Sequence, residues 1–365
     1  MLKSGNKSVR AAVGGCALLC AASLAHAQSS VSLYGIVDAS LLVTSRTRDS
    51  ASGANDGTRV SLTDSGLSPS MFGLTGKEDL GGGLVAEFKL ENGLNIANGG
   101  YNNSNGNLFG RQAWLALHGG FGEVKAGLQY SPFFLALYDL DPRGCPEFGS
   151  GLVPYLDNVV GTGVFNANAL TWTSPALAGF QGRAMIALGG EAGNFQAGRQ
   201  YSLSLRYDNG TLAVEGAFYD GNGGGTVATP LPTTVPFVGR TLGASYKIGS
   251  LTAKASFASY KVAGGFSNNV YGGGLDYFVL PQFDVNGGAW LTSDRHDTGN
   301  HSILAAVGAN YLLSRTTTLY AQIGVVNNHG AMNTGLDVDG ASVDSALYGT
   351  HGTTVGGNVG IRHMF

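Results

Sequence analysis

Charge is scarce in this chain. Only 12% of its 365 residues are Asp, Glu, Lys or Arg, about half the usual share for a soluble protein. Long apolar runs are missing as well: after residue 30 nothing approaches the ~18 uninterrupted apolar residues that a membrane helix requires. Cysteine is nearly absent. Cys16 and Cys20 lie in the first 27 residues, which leaves Cys145 alone in the rest of the chain and excludes an intramolecular disulfide there. Cys145 has no Cys/His constellation around it and reads as a shielded thiol. Metal-ligand spacings and phosphate-binding loops are lacking, so the chain calls for no cofactor and no metal. It has no basic face for nucleic acid. Low charge without a hydrophobic helix leaves one main membrane option, a closed barrel whose backbone is satisfied between strands.

What is abundant is glycine, 59 residues, about twice the average share. The glycines punctuate short segments in which apolar and small polar residues alternate. Val31, Leu33, Val37, Ala39 and Leu41 share one face of the first segment, and Ser32, Tyr34, Asp38 and Ser40 the other. Such period-2 patterning describes a strand with a greasy outside and a polar inside. Met71 to Glu78 continues the pattern, a Gly-rich turn follows, and Leu84 to Asn92 returns with Glu87, Lys89 and Glu91 on its polar face. Residues 45–66 are polar and are expected to form a loop.

Sixteen such segments can be counted, five before Ser131 and eleven after Asn168. The later ones are Ala169–Thr173, Phe180–Gly189, Gln200–Asp208, Thr211–Tyr219, Arg240–Lys247, Leu251–Lys261, Val270–Val279, Phe283–Thr292, His301–Leu312, Thr317–Val326 and Thr353–Phe365. Connections alternate between short turns, such as Asp208-Asn209-Gly210, and longer loops, such as 220–239 and 327–352. That asymmetry is the mark of an outer-membrane barrel. The fold class expected is all-β, a 16-stranded antiparallel transmembrane barrel whose lumen is wide enough for water. Val359, Ile361, His363 and the final Phe365 fall on one face of the last strand, as in a recognition strand for barrel assembly.

The stretch from Ser131 to Asn168 breaks the rhythm. It is long, alternates poorly, and carries Asp139, Asp141, Glu147 and Asp157 together with Arg143. Long structureless loops inside a compact fold are usually functional. The expectation is that 131–168 folds into the lumen and sets the width of the hole; an ordinary surface loop is the alternative. At the N-terminus, Lys3, Lys7 and Arg10 precede the apolar run Ala11 to Ala25, and Ala25-His26-Ala27 fits a cleavage site, so residues 1–27 are expected to be a removed secretory leader. A lipid-attachment box ending at Cys16 is the weaker reading, because too few residues separate it from Arg10. Residues 28–365 are then a single barrel domain with 18 Lys and Arg against 24 Asp and Glu, a balance of −6.

Several short segments carry a resemblance. They are Ser32-Leu33-Tyr34-Gly35-Ile36-Val37-Asp38, Phe72-Gly73-Leu74-Thr75-Gly76-Lys77-Glu78-Asp79-Leu80, Leu108-Phe109-Gly110-Arg111-Gln112-Ala113, Pro146-Glu147-Phe148-Gly149, and the closing Gly360-Ile361-Arg362-His363-Met364-Phe365. In order and spacing the whole chain after the leader resembles Gram-negative general porins of the Burkholderia/Bordetella type. The resemblance implies a homotrimer in the bacterial outer membrane, in contact with its lipid, with an inward-folded third loop. It also implies passive diffusion of small hydrophilic solutes and ions. It places Arg111 on a ladder of wall cations facing the acids of the third loop. This chain departs from that ladder at Met71, Thr75 and Leu128, and near Phe165, where basic residues are usual.

The departures lead to an expectation about the constriction. Its residues are expected to be Asp139, Asp141, Arg143, Glu147, Asp157 and Arg111, with Asp38, Glu87, Lys89 and Glu91 as further pore-lining candidates. With the wall cations reduced, the acids should be under-compensated and the channel weakly selective or cation-preferring. Each of these residues has a structural alternative: Glu147 as a loop cap, Arg111 as an ion-pair partner, and Glu87, Lys89 and Glu91 in cross-strand pairs. Arg362 should point inward. A second functional reading is a substrate-specific channel, in which Phe133, Phe134, Tyr138, Phe148 and Tyr155 favour a neutral or aromatic solute. A barrel enzyme has little support, since the cluster of His296 and His301 with Asp294 and Asp297 is explained by a solvated outer loop. Adhesion through the long loops is compatible with a pore.

Overall fold

The computed structural model describes residues 30–49, 51–103, 106–159, 163–222, 234–338 and 347–365. The expected leader and the cleavage point before Gln28 lie outside the described residues, as do parts of the two long loops. The strands in chain order are β1 (Ser30–Thr44), β2 (Arg59–Asp64), β3 (Met71–Gly81), β4 (Leu84–Gly93), β5 (Gln112–Gly119), β6 (Gly122–Tyr130), β7 (Phe165–Thr173), β8 (Phe180–Ala187) and β9 (Gln200–Asp208). They continue with β10 (Leu212–Gly221), β11 (Phe237–Ile248), β12 (Leu251–Val262), β13 (Ser267–Leu280), β14 (Phe283–Asp294), β15 (His301–Leu312), β16 (Thr317–His329) and β17 (Gly352–Met364). No helix among the described residues is long and apolar enough to cross a membrane.

Each strand pairs antiparallel with its sequence neighbour, and β1 pairs with β17 from Ile36↔Met364 to Thr44↔Gly356. Gly35 and Phe365 then exchange both backbone hydrogen bonds, each 3.0 Å, so the ring closes and leaves no free edge. A side chain on Gly35 would collide with the Phe365 ring, which lets the terminal aromatic lie flat across the seam. β2 and β3 both pair with β1, β2 from Ala39↔Asp64 to Thr44↔Arg59 and β3 from Ser30↔Lys77 to Ile36↔Met71. They occupy one position in the wall, so the 17 strands form a barrel of 16 positions, five of them before Ser131.

The alternation of side chains explains the two surfaces. On β16, Leu319, Ile323 and Val325 are exposed while Tyr320, Gln322 and Asn328 are buried. The exposed set around the wall is apolar, for example Leu33, Leu205, Leu242 and Val307 at 55–62%. Such surface belongs against acyl chains, which solvate it without cost. The buried set combines polar side chains on the inner wall with an apolar cluster around Phe133, Phe148 and Tyr155.

Two differences from the sequence reading have clear causes. Residues 59–64, expected in a loop, form β2, because the short alternation of Val60 and Leu62 against Ser61 and Thr63 completes the ladder to β1. β7 starts at Phe165 rather than Ala169 because a bulge interrupts its alternation: Gly127 pairs with Ala169 and Gln129 with Asn166, and Asn168 takes a φ of 54°.

The described part of the stretch between β6 and β7 is not structureless. It contains α1 (Pro132–Leu140) and α2 (Leu152–Val159). The start of α1 follows capping rules: Ser131 Oγ accepts from the Phe134 N–H at 3.0 Å, and Pro132 stands at the first helical position.

Candidate functional site

The described residues between Ser131 and Val164 lie against the inward-facing side chains of the wall. The Phe133 N–H donates to Ser202 Oγ on β9 at 3.0 Å. The Phe133 ring fills the space that a side chain at Gly239 of β11 would need. Leu140 does the same at Gly243. Lys254 Nζ of β12 donates to the carbonyls of Asp139 and Asp141 at 2.8 and 2.9 Å. Past α1, Arg143 reaches Asn286 Oδ1 on β14 at 3.0 Å and Gln322 Oε1 on β16. The Gly149 N–H donates to the Leu336 carbonyl, and the Val338 N–H to the Glu147 carbonyl. α2 continues the contact, with the Tyr155 ring 5.4 Å from that of Tyr260 and Asn158 bonded to Asn268. The segment therefore touches the inner faces of strands from β9 round to β16.

The acids of this segment are not free. Asp141 is 3% exposed and accepts three backbone N–H bonds, from Arg143 (2.9 Å), Cys145 (3.0 Å) and Gly151 (2.7 Å). It staples the turn after α1 and the start of α2. Burial pushes its carboxyl above the usual range despite those bonds. Asp139 pairs with Arg206 at 3.0 Å, and the same guanidinium holds Asp208 at 2.7 Å and Glu215 at 3.3 Å. Glu215 is shared with Arg183 at 3.3 Å. Asp157 Oδ2 accepts from the Thr334 hydroxyl at 3.2 Å, while its Oδ1 is closed off with no hydrogen-bond partner. Burial pushes the Asp157 carboxyl up to about 7. Glu147 is 8% exposed, and its charge acts on Arg111.

The remaining predicted residues sit in separate groups. Glu91, 1% exposed, is a hub: it takes Arg111 Nε at 3.1 Å, Lys89 at 3.2 Å, the Tyr34 hydroxyl at 2.8 Å and Gln112 at 3.2 Å. Arg111 also donates to the Tyr130 hydroxyl at 3.0 Å. Glu87 stands apart, paired with Lys77 at 3.1 Å and His118 at 3.0 Å. Asp38 is fully buried and holds residues 65–70, accepting from the Leu67 and Ser68 N–H groups at 2.9 Å each and from the Tyr320 hydroxyl. Arg143 is held entirely by neutral acceptors, the Phe148 and Gly149 carbonyls included, and burial pulls its guanidinium down to about 10. Among the described residues no group of three or more His, Cys, Asp or Glu side chains could hold a metal ion.

These contacts correct the expectation of under-compensated acids. Asp139 has Arg206, Asp141 has backbone amides, and Asp157 is tucked against Thr334. Arg143, Lys254 and Arg362 have no carboxylate within ion-pair distance among the described residues, although Arg362 stands opposite Asp38 in the β1–β17 ladder, and Asp276 and Asp284 likewise have no cation within that distance. Sequence reasoning missed Arg206 and Lys254. Both stand on the polar faces of alternating strands, which is the signal that could have found them.

A closed wall, an apolar outer belt and a polar, charge-bearing interior fit a channel, and comparison with known proteins decides its family. Residues 12–331 match the Gram-negative porin family. This chain is a Gram-negative porin. It is 30% identical to outer membrane porin protein 32 of Delftia acidovorans, over 96% of this chain and 98% of the relative. It is 28% identical to an outer membrane porin protein of Bordetella pertussis, over 94% of this chain and 96% of the relative. Among solved structures, an anion-selective porin from Comamonas acidovorans superposes with a TM-score of 0.78 at 28% identity, covering 93% of this chain and all of that one. OmpT of Vibrio cholerae shares the fold, with a TM-score of 0.66 at 14% identity and coverage of 93% and 100%. The porin is thus an outer-membrane channel for passive diffusion of small solutes, not an enzyme.

Proposed function

We propose that segment 131–168 is the pore-constricting loop of this porin, and that Asp139, Arg143, Glu147 and Arg111 set the charge at its narrowest part. The observation that carries this reading is the run of contacts from Ser202 on β9 to Gln322 on β16, which spreads one connection over the inner faces of half the wall. Asp141 and Asp157 act there as structural acids that fix the loop. Asp38, Glu87, Lys89 and Glu91 line the wall and shape the field mainly through the pairs they make.

The selectivity we propose is weak. The cation preference read from the sequence required free acids, and the pairing of Asp139 with Arg206 removes its basis. The word "anion-selective" belongs to the Comamonas protein; in this chain Arg143, Lys254 and Arg362 without carboxylate partners are offset by Asp276 and Asp284 without cations, which favours neither sign strongly. Residues 28–365 form one barrel unit in this reading, with 1–27 as its leader. It works as a homotrimer. The outer face of β13 to β17 supports a subunit contact, because Gly273, Gly287, Ala305, Ala321 and Gly357 line a shallow apolar depression of about 1780 Å³ there.

Liposome swelling tests the loop. Replacing residues 133–160 by a short Gly/Ser linker should raise the size limit for sugars, so that trisaccharides excluded by the parent protein enter. An unchanged size limit in a folded variant would remove the loop from this role.

A further inference from the structure

Two neighbouring rows of the inner wall meet the end of α1. In the first, Arg206 of β9 pairs with Glu215 of β10, and Glu215 with Gly243 of β11. Leu140 takes the place that a side chain at Gly243 would need. In the second row, one step nearer the short turns, Ala213 of β10 pairs with Ser245 of β11, and Ser245 with Lys254 of β12. The side chains of Ala213 and Ser245 are too short to reach the loop, and a cavity of about 200 Å³ remains between loop and wall. Tyr138, Asp139 and Leu140 bound it from the loop, and Arg206 and Lys254 flank it on the wall. The turns Asp208-Asn209-Gly210 and Ile248-Gly249-Ser250 lie just beyond. The cavity is therefore on the short-turn side of the loop, the side that faces the periplasm in barrels of this kind.

Its charge is balanced, and hydrogen-bonding capacity is left over. Two cations, Arg206 and Lys254, stand against two acids, Asp139 and Glu215. Asp139 uses Oδ2 for Arg206 at 3.0 Å, and its Oδ1 has no hydrogen-bond partner among the described residues. Lys254 Nζ gives two of its N–H bonds to the Asp139 and Asp141 carbonyls, at 2.8 and 2.9 Å, and keeps the third. The hydroxyls of Ser245 and Tyr138 make no hydrogen bond to another described residue. Tyr138 is also the loop aromatic that stays open: it is 48% exposed, while Phe133, Phe134, Phe148 and Tyr155 are buried.

A lining of this kind selects by exclusion. A carboxylate only accepts and an ammonium only donates. Either would leave part of the lining unmet, and either would sit beside a like charge as well as an opposite one. A hydroxyl both donates and accepts, so a solute ringed with hydroxyls can meet donors and acceptors together. The C–H edges of such a ring have the apolar surfaces of Tyr138 and Leu140 to rest on. The cavity is smaller than the sites that hold drug-sized ligands, which suits one ring and not two.

We propose that this cavity is a binding subsite for neutral polyhydroxylated rings of monosaccharide size, met by solutes beyond the narrowest part of the bore. The proposal rests on the reading of 131–168 as the pore-constricting loop.

Single-channel current in KCl with added glucose tests it, read as the drop in excess of the change in bulk conductivity. Glucose should give a saturable excess drop, whereas glycine, acetate and methylammonium at the same concentration should give none. Ser245→Ala should raise the half-saturating glucose concentration roughly fivefold, the change expected for one lost hydrogen bond. Ala213→Leu, which fills the cavity and removes no polar group, should abolish the saturable drop. An effect of glycine, acetate or methylammonium equal to that of glucose would overturn the subsite, as would a glucose effect that both variants leave unchanged. Replacement of residues 133–160 by the Gly/Ser linker separates the subsite from the loop. A wider channel that keeps the saturable glucose drop would overturn the subsite alone; a linker variant of parent conductance would defeat the loop reading on which the subsite rests.

Discussion

Arg206 shows how one residue sets the character of the bore. A single guanidinium on β9 holds Asp139 from the loop and Asp208 and Glu215 from the wall. These pairs are part-exposed, so their value lies less in stability than in cancelling charge where solutes pass. Asp157 works differently, because it is held half neutral. Its carboxyl titrates at about 7 in the folded protein against an ordinary value of 3.8. The shift is upward, so the folded state keeps its proton between those two values. Below about pH 4 both states are protonated and Asp157 costs nothing; the cost grows as pH rises and is complete above about 7. The contact of α2 with Thr334 should therefore loosen as pH climbs from 5 to 8. Hydrogen exchange of residues 152–159 should speed up over that range beyond its intrinsic pH dependence, and Asp157→Asn should abolish the excess. An excess that survives in the Asn variant would place the titration elsewhere.

At the scale of elements, the wall was legible and its interior furniture was not. Period-2 alternation located nearly all the strands, because every wall residue answers to lipid on one side and polar groups on the other. It failed where the ladder is irregular, at the insertion 65–70 and at the bulge around Asn168. The helix α1 was signalled by Ser131-Pro132 and by apolar residues at helical spacing, Phe133, Ala136, Leu137 and Leu140, yet was hidden by the expectation of a loop. The site was less legible still. Arg143 and Gln322 lie 179 positions apart, and no local pattern announces such a pair. Residues read as charged pore lining, such as Glu91 and Asp141, turn out to be hydrogen-bond hubs because burial demands that their oxygens be satisfied. The anchoring of α1 is mostly apolar. Phe133 is fully buried among Tyr155, Tyr219, Tyr260 and Gly239. Phe133→Ala should remove about 3–5 kcal/mol of local packing. Planar-bilayer records of that variant should show frequent current flicker with the barrel still heat-resistant on gels. Quiet channels of parent conductance would mean that the polar contacts alone hold the loop.

For the whole molecule, closure of β1 on β17 removes every sheet edge, and the apolar belt commits the closed barrel to the outer membrane. What remains inside is a set of charges that largely answer one another: among the described residues Arg143, Lys254 and Arg362 have no carboxylate within ion-pair distance, and Asp38, Asp276 and Asp284 have no cation there. The central claim is an open, water-filled channel whose constriction is charge-balanced rather than acid-dominated. The most direct test is the reversal potential of single channels under a tenfold KCl gradient, measured on the parent protein and on Arg206→Gln. The account predicts discrete ohmic steps with a reversal potential near zero or slightly anion-signed for the parent. It predicts a shift toward cations in the variant, where Asp139 and Glu215 lose a partner. A parent reversal potential close to the ideal cation limit, or one that Arg206→Gln leaves unmoved, would contradict it.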